Sequence, residues 1–205
     1  MQRQQTLVRK NALPLIVAAA AIVCASFSEI LNPWLRFDRA ALATGELWRI
    51  FTAHVTHLGW SHLGLNLAGL ALIWALFRHE LTTPRWSATL AASAVGVSAG
   101  LWLFNSEVEW YVGLSGVLHG LFIAGVIASL RNGHRREWLL MFVMVGKIIS
   151  EQFIGPSPGS EELAGGPVIV DAHLYGALSG AVVSLVFYLI DAAGNRKRQR
   201  RHEVL

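Results

Sequence analysis

Long apolar runs constrain this chain more than any other feature of its sequence. Six of them are separated by short polar connectors, and each is continuous and too long for a typical β-strand. A helix needs roughly 20 predominantly apolar residues to cross a bilayer, so each run predicts one membrane-spanning helix. The predicted spans are residues 13–28, 58–77, 86–104, 112–130, 138–153 and 168–190.

The composition agrees with an all-α, polytopic membrane protein. Hydrophobic residues make up 54% of the 205 residues, charged residues make up 15%, and the mean hydropathy is +0.46. Ordinary soluble domains are more polar than this. No connector is long enough for a second domain, so we expect residues 1–205 to form one six-helix membrane domain with short basic tails.

Basic residues are distributed unevenly among the connectors. If the N-terminus is cytoplasmic, thirteen of the seventeen Lys and Arg residues fall in cytoplasmic segments, and the outer connectors contain only Arg36, Arg39 and Arg49. By the positive-inside rule, this asymmetry predicts that both termini lie in the cytoplasm. We expect the membrane to be a bacterial inner membrane. We interpret the basic C-terminal tail as a topology anchor near anionic lipid and not as a nucleic-acid-binding arm.

Cys24 and the start of the first apolar run exclude some kinds of membrane protein. Cys24 is the only cysteine and lies inside an apolar run, which excludes a disulfide framework and a thiolate zinc site. The first run follows basic residues, as in a signal peptide, but it lacks a convincing small-residue cleavage site. We therefore expect it to be retained as the first helix.

Polar side chains within apolar spans are costly and point to function. His62, Ser115 and His173 each lie a few residues from the outer end of the second, fourth and sixth runs. If the runs are helical throughout, each side chain lies roughly 6–9 Å below the outer boundary. Three separate segments thus place polar groups at one level, and we expect them to meet.

Small residues predict which helices pack together. They recur every three or four positions in the fourth and sixth runs, at Gly113, Gly116, Gly120, Ala172, Gly176 and Gly180. Such stripes let two helix backbones approach closely, and pairing them would bring Ser115 towards His173. Packing of these glycines against other helices is the alternative that the sequence leaves open.

The polar groups suit acyl transfer. Ser115 lies in a Gly-Leu-Ser-Gly segment that would let a substrate backbone reach its hydroxyl, and His173 is the candidate base. Asp171 is two residues from His173, so a helix turns it about 200° away, and we expect a Ser–His dyad without a carboxylate. His62 and Asn66, one turn apart, could donate to the oxyanion beside the Ser115 N–H.

The segments around these residues resemble the rhomboid family of intramembrane serine proteases. They are HLGWSHLGLN (57–66), YVGLSG (111–116) and AHLYGALSG (172–180), and WRIFT (48–52) resembles the Trp-Arg element of the family's first outer loop. The resemblance implies a serine protease without metal or other cofactor. It implies that Ser115 is the nucleophile, His173 the base, and His62 and Asn66 the oxyanion donors, with Gly113 and Gly116 in support.

One position departs from the family pattern. The family often has Tyr four residues after the serine, whereas this chain has His119, which we expect to lie against His173 and to orient it. The segments SGVLHGLF (115–122) and DAHLYGAL (171–178) look most like the rhombosortase branch. That likeness implies clients ending in a Gly-Gly motif, an apolar helix and a basic tail. It also implies cleavage near the outer face, with or without transfer to a lipid-linked amine.

Simpler interpretations apply to other polar residues. Lys147 and Glu151, at i and i+4, are interpreted as an internal ion pair. His54 and His57 are interpreted as structural hydrogen-bonding residues. The expected partners are the lipid bilayer and transmembrane segments of client proteins and not nucleic acid, and the oligomeric state stays open.

Four other functions are weighed against a rhomboid-type protease. A membrane metalloprotease would need an HExxH segment, which the chain lacks. A metal or haem protein could use His62, His119 and His173 but would not need Asn66. A transporter usually has inverted repeats and broken helices, which the sequence does not suggest. A catalytically inactive rhomboid-like chaperone is the alternative against which the intact set of site residues argues.

Overall fold

The computed structural model describes the backbone of residues 2–203 and the side chains of residues 12–196. Its helices are α1 (Gln2–Ser26), α2 (Ser28–Leu35), α3 (Arg39–Ala43), α4 (Arg49–Thr52), α5 (Trp60–Phe77), α6 (Thr83–Phe104), α7 (Ser115–Arg131), α8 (Trp138–Ile154), α9 (Ser160–Ala164) and α10 (Val170–Glu203). Two short strands, β1 (Phe37–Asp38) and β2 (Trp110–Tyr111), pair antiparallel, and a 3-10 helix (Arg135–Glu137) precedes α8. The described part of the chain is thus a helical bundle with almost no sheet, as predicted.

Not every predicted run is a full span. Among the described residues, α5, α6 and α10 are long and apolar enough to cross a bilayer. The pair α1 and α2, which bends by 114°, counts as a fourth if it is one broken span. Helix α7 is apolar but has only 17 residues. A membrane-embedded helical bundle fits these lengths, whereas the prediction of six complete spans is not confirmed.

The fourth run differs from its predicted bounds in a way that moves the nucleophile. The apolar run predicts a helix from residue 112, but α7 begins at Ser115. Gly113 has a φ of 126°, which a residue with a side chain rarely adopts, and the chain turns there from an extended segment into the helix. His62 is the third residue of α5 and His173 the fourth of α10. Ser115, His62 and His173 therefore each lie in the first turn of their own helix. The depth calculated for Ser115 assumes a helix from residue 112, and that assumption is wrong, whereas the common depth itself stays a prediction.

Helices α7 and α10 pack along the predicted stripes of small residues. A Cβ added to Gly116 would lie 2.7 Å from the Ala172 carbonyl oxygen, and one added to Gly176 would collide with the Gly116 backbone. The predicted pairing is confirmed. Because no side chains separate the two backbones, the seam holds Ser115 and His173 at short range.

The segment between α1 and α5 packs against the C-terminal end of α6 and the connector that leads to α7. Its Arg39 guanidinium donates to the carbonyls of Leu101, Trp102 and Asn105. The last carbonyls of a helix have no partner within the helix, so Arg39 caps α6. The same side chain bonds the Val108 carbonyl, which fixes the connector that leads to Ser115.

Most of the basic tail residues lie outside the described side chains. They are Arg3, Arg9, Lys10, Lys197, Arg198, Arg200 and Arg201. Their predicted role as topology anchors, like the prediction of a single domain, therefore stays a prediction.

Candidate active site

Ser115 and His173 are in direct contact. The Ser115 hydroxyl lies 3.1 Å from Nε2 of His173, within hydrogen-bonding distance. His173 is buried, while Ser115 is half-buried and lines a cavity. The fold thus brings together the two residues that the sequence singles out as nucleophile and base.

A carboxylate contacts the other side of His173, which the expectation of a dyad does not include. Oε2 of Glu151 lies 2.9 Å from Nδ1 of His173, and Glu151 is only 4% exposed. Asp171 points away from His173, as expected, and accepts a hydrogen bond of 2.6 Å from the Asn105 amide. The arrangement is therefore Ser–His–Glu, with the carboxylate supplied by a different helix from the base.

A signal for Glu151 exists in the sequence. The residue lies three positions before the end of α8, and the chain returns from there through α9 into α10. Glu151, near the end of α8, therefore lies at the same level as His173, near the start of α10. Comparing only the runs that enter from the outer face misses this, because α8 runs in the opposite direction.

Lys147 and His119 extend the hydrogen-bonded chain. The Lys147 ammonium donates to Oε1 of Glu151 at 2.5 Å and lies 3.1 Å from Nε2 of His119. Nδ1 of His119 lies 2.8 Å from the Ser115 carbonyl oxygen. The His119 ring also stacks on His173, with centroids 4.1 Å apart and planes 15° apart. The predicted ion pair and the predicted packing of the two rings are both confirmed.

His119, Glu151 and His173 each offer a ligand atom within 4.8 Å of the others, as the groups of a metal site would. The Lys147 ammonium, however, already contacts Glu151 and His119. The two imidazole rings stack nearly parallel, so their in-plane lone pairs do not converge on one ion. We therefore assign these groups to hydrogen bonding and not to metal binding.

His62 and Asn66 line the same cavity as Ser115. The His62 ring lies against Gly113, since a Cβ at that glycine would be 2.7 Å from Cε1 of the ring. Nδ1 of His62 accepts from the Leu58 N–H at 3.4 Å, which leaves Nε2–H to donate. The Asn66 amide donates one hydrogen to the His62 carbonyl at 3.2 Å and keeps a second. Both side chains therefore retain a donor for an oxyanion.

Two buried rings hold the turn before Ser115. The Tyr111 hydroxyl donates to the Gly113 carbonyl at 3.0 Å, and Nδ1 of His54 lies 3.4 Å from the same oxygen. Burial lowers the pKa of His54 to about 4 and raises the pKa of Tyr111 to about 12, so both rings are uncharged at neutral pH. The structural role predicted for His54 is confirmed by its Nε2, which lies 3.1 Å from the Ala94 carbonyl oxygen.

His57 departs from its predicted role. Its ring is buried, and neither ring nitrogen has a partner in hydrogen-bond geometry among the described residues. The ring packs edge-on against His62, with centroids 5.1 Å apart. His57 therefore supports His62 by packing and not by a hydrogen bond.

The cavity in front of Ser115 has a volume of about 790 Å³. Helix α5 lines it with Leu65 and Leu72, and α8 lines it with Met144. The connector before α7 contributes Glu107 and Glu109. The polar groups thus sit beside an apolar trough, which can accommodate a ligand with an extended apolar segment.

A comparison with protein-family models decides the family. Residues 44–190 match the Rhomboid domain, and this segment includes every site residue named above. The chain belongs to the rhomboid family. The family resemblance expected from the segments around Ser115, His62 and His173 is confirmed at this level.

Curated relatives of this rhomboid-family chain are distant. "Rhomboid-like protein 11, chloroplastic" of Arabidopsis thaliana is 29% identical over 146 residues, which are 66% of this chain and 51% of that protein. "Uncharacterized protein ML1171" of Mycobacterium leprae (strain TN) is 27% identical over 172 residues, or 77% and 61% of the two chains. "Putative rhomboid protease YdcA" of Bacillus subtilis (strain 168) is 24% identical over 165 residues, or 78% and 74%. The chain thus spans less than two thirds of the length of the first two relatives.

Proposed function

We propose that this rhomboid-family protein is an intramembrane serine endopeptidase. The observation that carries the proposal is the 3.1 Å contact between Ser115 Oγ and His173 Nε2 beside an apolar cavity. A serine hydroxyl becomes a useful nucleophile only when a base is within hydrogen-bond reach. The apolar trough suits the transmembrane segment of a client protein as substrate.

In the first half of the reaction, Ser115 Oγ attacks the carbonyl carbon of the scissile peptide bond, and Nε2 of His173 accepts the hydroxyl proton. The carbonyl oxygen becomes an oxyanion. Its donors are the Ser115 N–H, which lies at the start of a helix, and the side chains of His62 and Asn66. When the C–N bond breaks, His173 gives its proton to the leaving amine, and the acyl group stays on Ser115 as an ester.

In the second half, water or an amine attacks the ester carbonyl. His173 takes a proton from that nucleophile and returns it to Ser115 Oγ, which leaves as the hydroxyl. Water yields a carboxylic acid, whereas an amine yields a new amide bond. The residues of the site serve both outcomes in the same way.

The finer assignment is to the rhombosortase branch, and it rests on the likeness of residues 115–122 and 171–178 to that branch. On this assignment the client carries a Gly-Gly motif before an apolar helix and a basic tail. A glycine backbone without side chains can approach the Ser115 hydroxyl closely. Transfer of the acyl group to a lipid-linked amine would use the second half of the reaction described above.

The proposed location is a bacterial inner membrane, with both termini in the cytoplasm and Ser115 near the outer face. The distribution of Lys and Arg supports this orientation. A reporter fused after Leu205 or inserted at Gly133 should read cytoplasmic, and one inserted at Gly159 should read external. An external C-terminus would overturn the orientation and leave the catalytic proposal standing.

A fluorophosphonate probe tests the catalytic proposal in native membranes, because it labels serines that are activated as nucleophiles. We expect labelling of the wild type and none of Ser115→Ala. Ser157→Ala is the matched control, since Ser157 lines the same cavity but has no histidine contact among the described residues. Its labelling should equal that of the wild type. A wild type that is folded and inserted but not labelled would instead support the inactive, chaperone-like alternative.

A further inference from the structure

Five groups around Ser115 form a closed ring of hydrogen bonds. The Ser115 hydroxyl contacts His173, His173 contacts Glu151, and Glu151 contacts Lys147. Lys147 then contacts His119, whose other ring nitrogen bonds the Ser115 carbonyl. The ring thus starts and ends at Ser115, and three of its members, Glu151, Lys147 and His119, take no proton in a Ser–His dyad mechanism.

The donors and acceptors of the ring determine where its protons lie. An ionised carboxylate only accepts, so Nδ1 of His173 must carry a proton and donate it to Glu151. Nε2 of His173 is then unprotonated and can accept the Ser115 proton. The Lys147 ammonium only donates, so Nε2 of His119 accepts from it and Nδ1–H of His119 donates to the Ser115 carbonyl. His119 therefore has no free lone pair with which to act as the base.

The burial of Glu151 indicates that its contact with His173 is a specific interaction and does not merely follow from the ion pair with Lys147. An ion pair at i and i+4 on one helix can form at the surface, where it contributes little. Glu151 is instead 4% exposed, and each of its two oxygens has a separate partner: Oε1 contacts Lys147 and Oε2 contacts His173. A buried carboxylate is tolerated only when such partners compensate its lost hydration.

We propose that Glu151 is the third member of a Ser115–His173–Glu151 triad, acting as a positioning residue, and that Lys147 balances its charge. The inference rests on the proposed protease function and extends it. Glu151 keeps His173 in the tautomer that accepts the Ser115 proton, and it stabilises the imidazolium that forms during attack. Lys147 opposes the second effect, because its positive charge lies beside the same carboxylate.

The other groups facing His173 do not duplicate this role. His119 stacks on it from α7, and His62 lies across the cavity on α5. Neither histidine can supply the negative charge that would stabilise an imidazolium at His173. Asp171, on the same helix as His173, is bonded to Asn105. Among the described residues packed against His173, Glu151 is therefore the source of negative charge.

Three variants test the proposal in native membranes: Glu151→Gln, Lys147→Met and Glu151→Asp. The rate of fluorophosphonate labelling of Ser115 is measured against pH, which requires no knowledge of the client. Glu151→Gln removes the charge, and we expect labelling to slow by about 10²-fold or more. The midpoint of the acid limb of the pH–rate profile should move to lower pH, because the imidazolium loses its carboxylate.

The other two variants should behave differently from Glu151→Gln. Lys147→Met leaves the carboxylate without its balancing cation, so the acid limb should move to higher pH. Glu151→Asp keeps the charge and should recover part of the labelling rate, with a midpoint near that of the wild type. Gln152→Ala changes an exposed neighbour on α8 and is the matched control, expected to match the wild type in rate and midpoint.

The possible outcomes separate this inference from the proposed function. Absence of Ser115 labelling in the wild type contradicts the protease proposal itself. If the wild type is labelled and Glu151→Gln is labelled within about threefold of it, the triad is wrong and the dyad stands. A slower Glu151→Gln with an unmoved acid limb, or a Lys147→Met limb that moves to lower pH, also overturns the proposal. Should Glu151→Gln fail to insert, the Lys147→Met and Glu151→Asp profiles decide.

Discussion

Two clusters of charged side chains lie at different levels of α10, and they differ in burial. Near its start, Glu151 is 4% exposed and contacts His173 and Lys147. Towards its other end, Asp191 pairs with Arg85 and Arg131, and these three side chains are 32% to 36% exposed. Both clusters link α10 to its neighbours, but only in the first does the bundle enclose the carboxylate; the Lys147 side chain beside it is 37% exposed.

The difference in exposure distinguishes the proposed active site from an exposed group of ion pairs. Around Asp191, solvent or lipid headgroups can replace a lost partner, and the arginines also lie over the rings of Phe187 and Tyr188. Around Glu151, the loss of one partner leaves a buried group unpaired. The same kinds of ion pair therefore predict large functional effects at one level and small ones at the other.

The largest expected effect is at the contact between nucleophile and base. Ser115→Ala and His173→Ala should each reduce client cleavage by on the order of 10⁴-fold or more, without loss of membrane insertion. The double variant should be little worse than either single one, because the two residues act as a unit. Cleavage of a client of the proposed kind, with a Gly-Gly motif before an apolar helix, measures this. A His173→Ala variant that keeps more than a few per cent of activity would contradict the assignment of the base.

A smaller loss is expected at the oxyanion donors. His62→Ala and Asn66→Ala should lower turnover by about 10²-fold or more, because each removes a donor that acts in the transition state. The loss should appear in kcat and not in KM. Equal changes in both constants would instead indicate a role in binding or in the fold. His57→Phe, behind His62, is a control for packing alone.

Changes at His119 should have an intermediate effect. His119→Tyr keeps an aromatic ring against His173 and restores the residue common in the family, so substantial cleavage should remain. His119→Ala removes both the stacking and the bond to the Ser115 carbonyl, and we expect a loss of about 10-fold to 100-fold from misorientation of the base. An inactive His119→Tyr together with an active His173→Ala would identify His119 as the base.

The smallest effect is expected in the exposed cluster. Asp191→Asn should lower the free energy of unfolding only slightly, because exposed ion pairs contribute little to stability. At a temperature where both proteins are folded, client cleavage should stay within about twofold of the wild type, since Asp191 is remote from Ser115. Thermal unfolding in detergent and the cleavage assay measure the two quantities. A large loss of cleavage with unchanged stability would show that the two levels of α10 are coupled.

The residues of the site were predictable from sequence to different degrees. Ser115 and His173 stand out because a hydroxyl and an imidazole within apolar runs call for a reason, and small residues predict that their helices pack closely. From the sequence, Glu151 is interpreted only as the ion-pair partner of Lys147, because residues at i and i+4 lie on one helix face and a local ion pair accounts for both charges. Its contact with His173 joins residues 22 positions apart on different helices, which helical periodicity does not reveal.

The start of α7 illustrates a second limit. Hydropathy does not distinguish residues 112–114 from the helix that follows, so the run predicts a helix three residues too early. The positive φ of Gly113 and the two rings bonded to its carbonyl end the extended segment there. That turn places the Ser115 N–H at a helix terminus, where it is free to serve as a donor.

By itself, the sequence determined that this is a helical protein of the rhomboid type, and it predicted that Ser115 and His173 meet in one site. Those properties depend on apolar length and on short segments of neighbouring residues, which are local quantities. Only the tertiary structure decided that Glu151 joins His173, that Lys147 and His119 close the ring, and that Ser115 begins its helix. Side-chain orientation across a seam of glycines depends on how whole helices rotate and slide against each other, and no local pattern specifies that rotation.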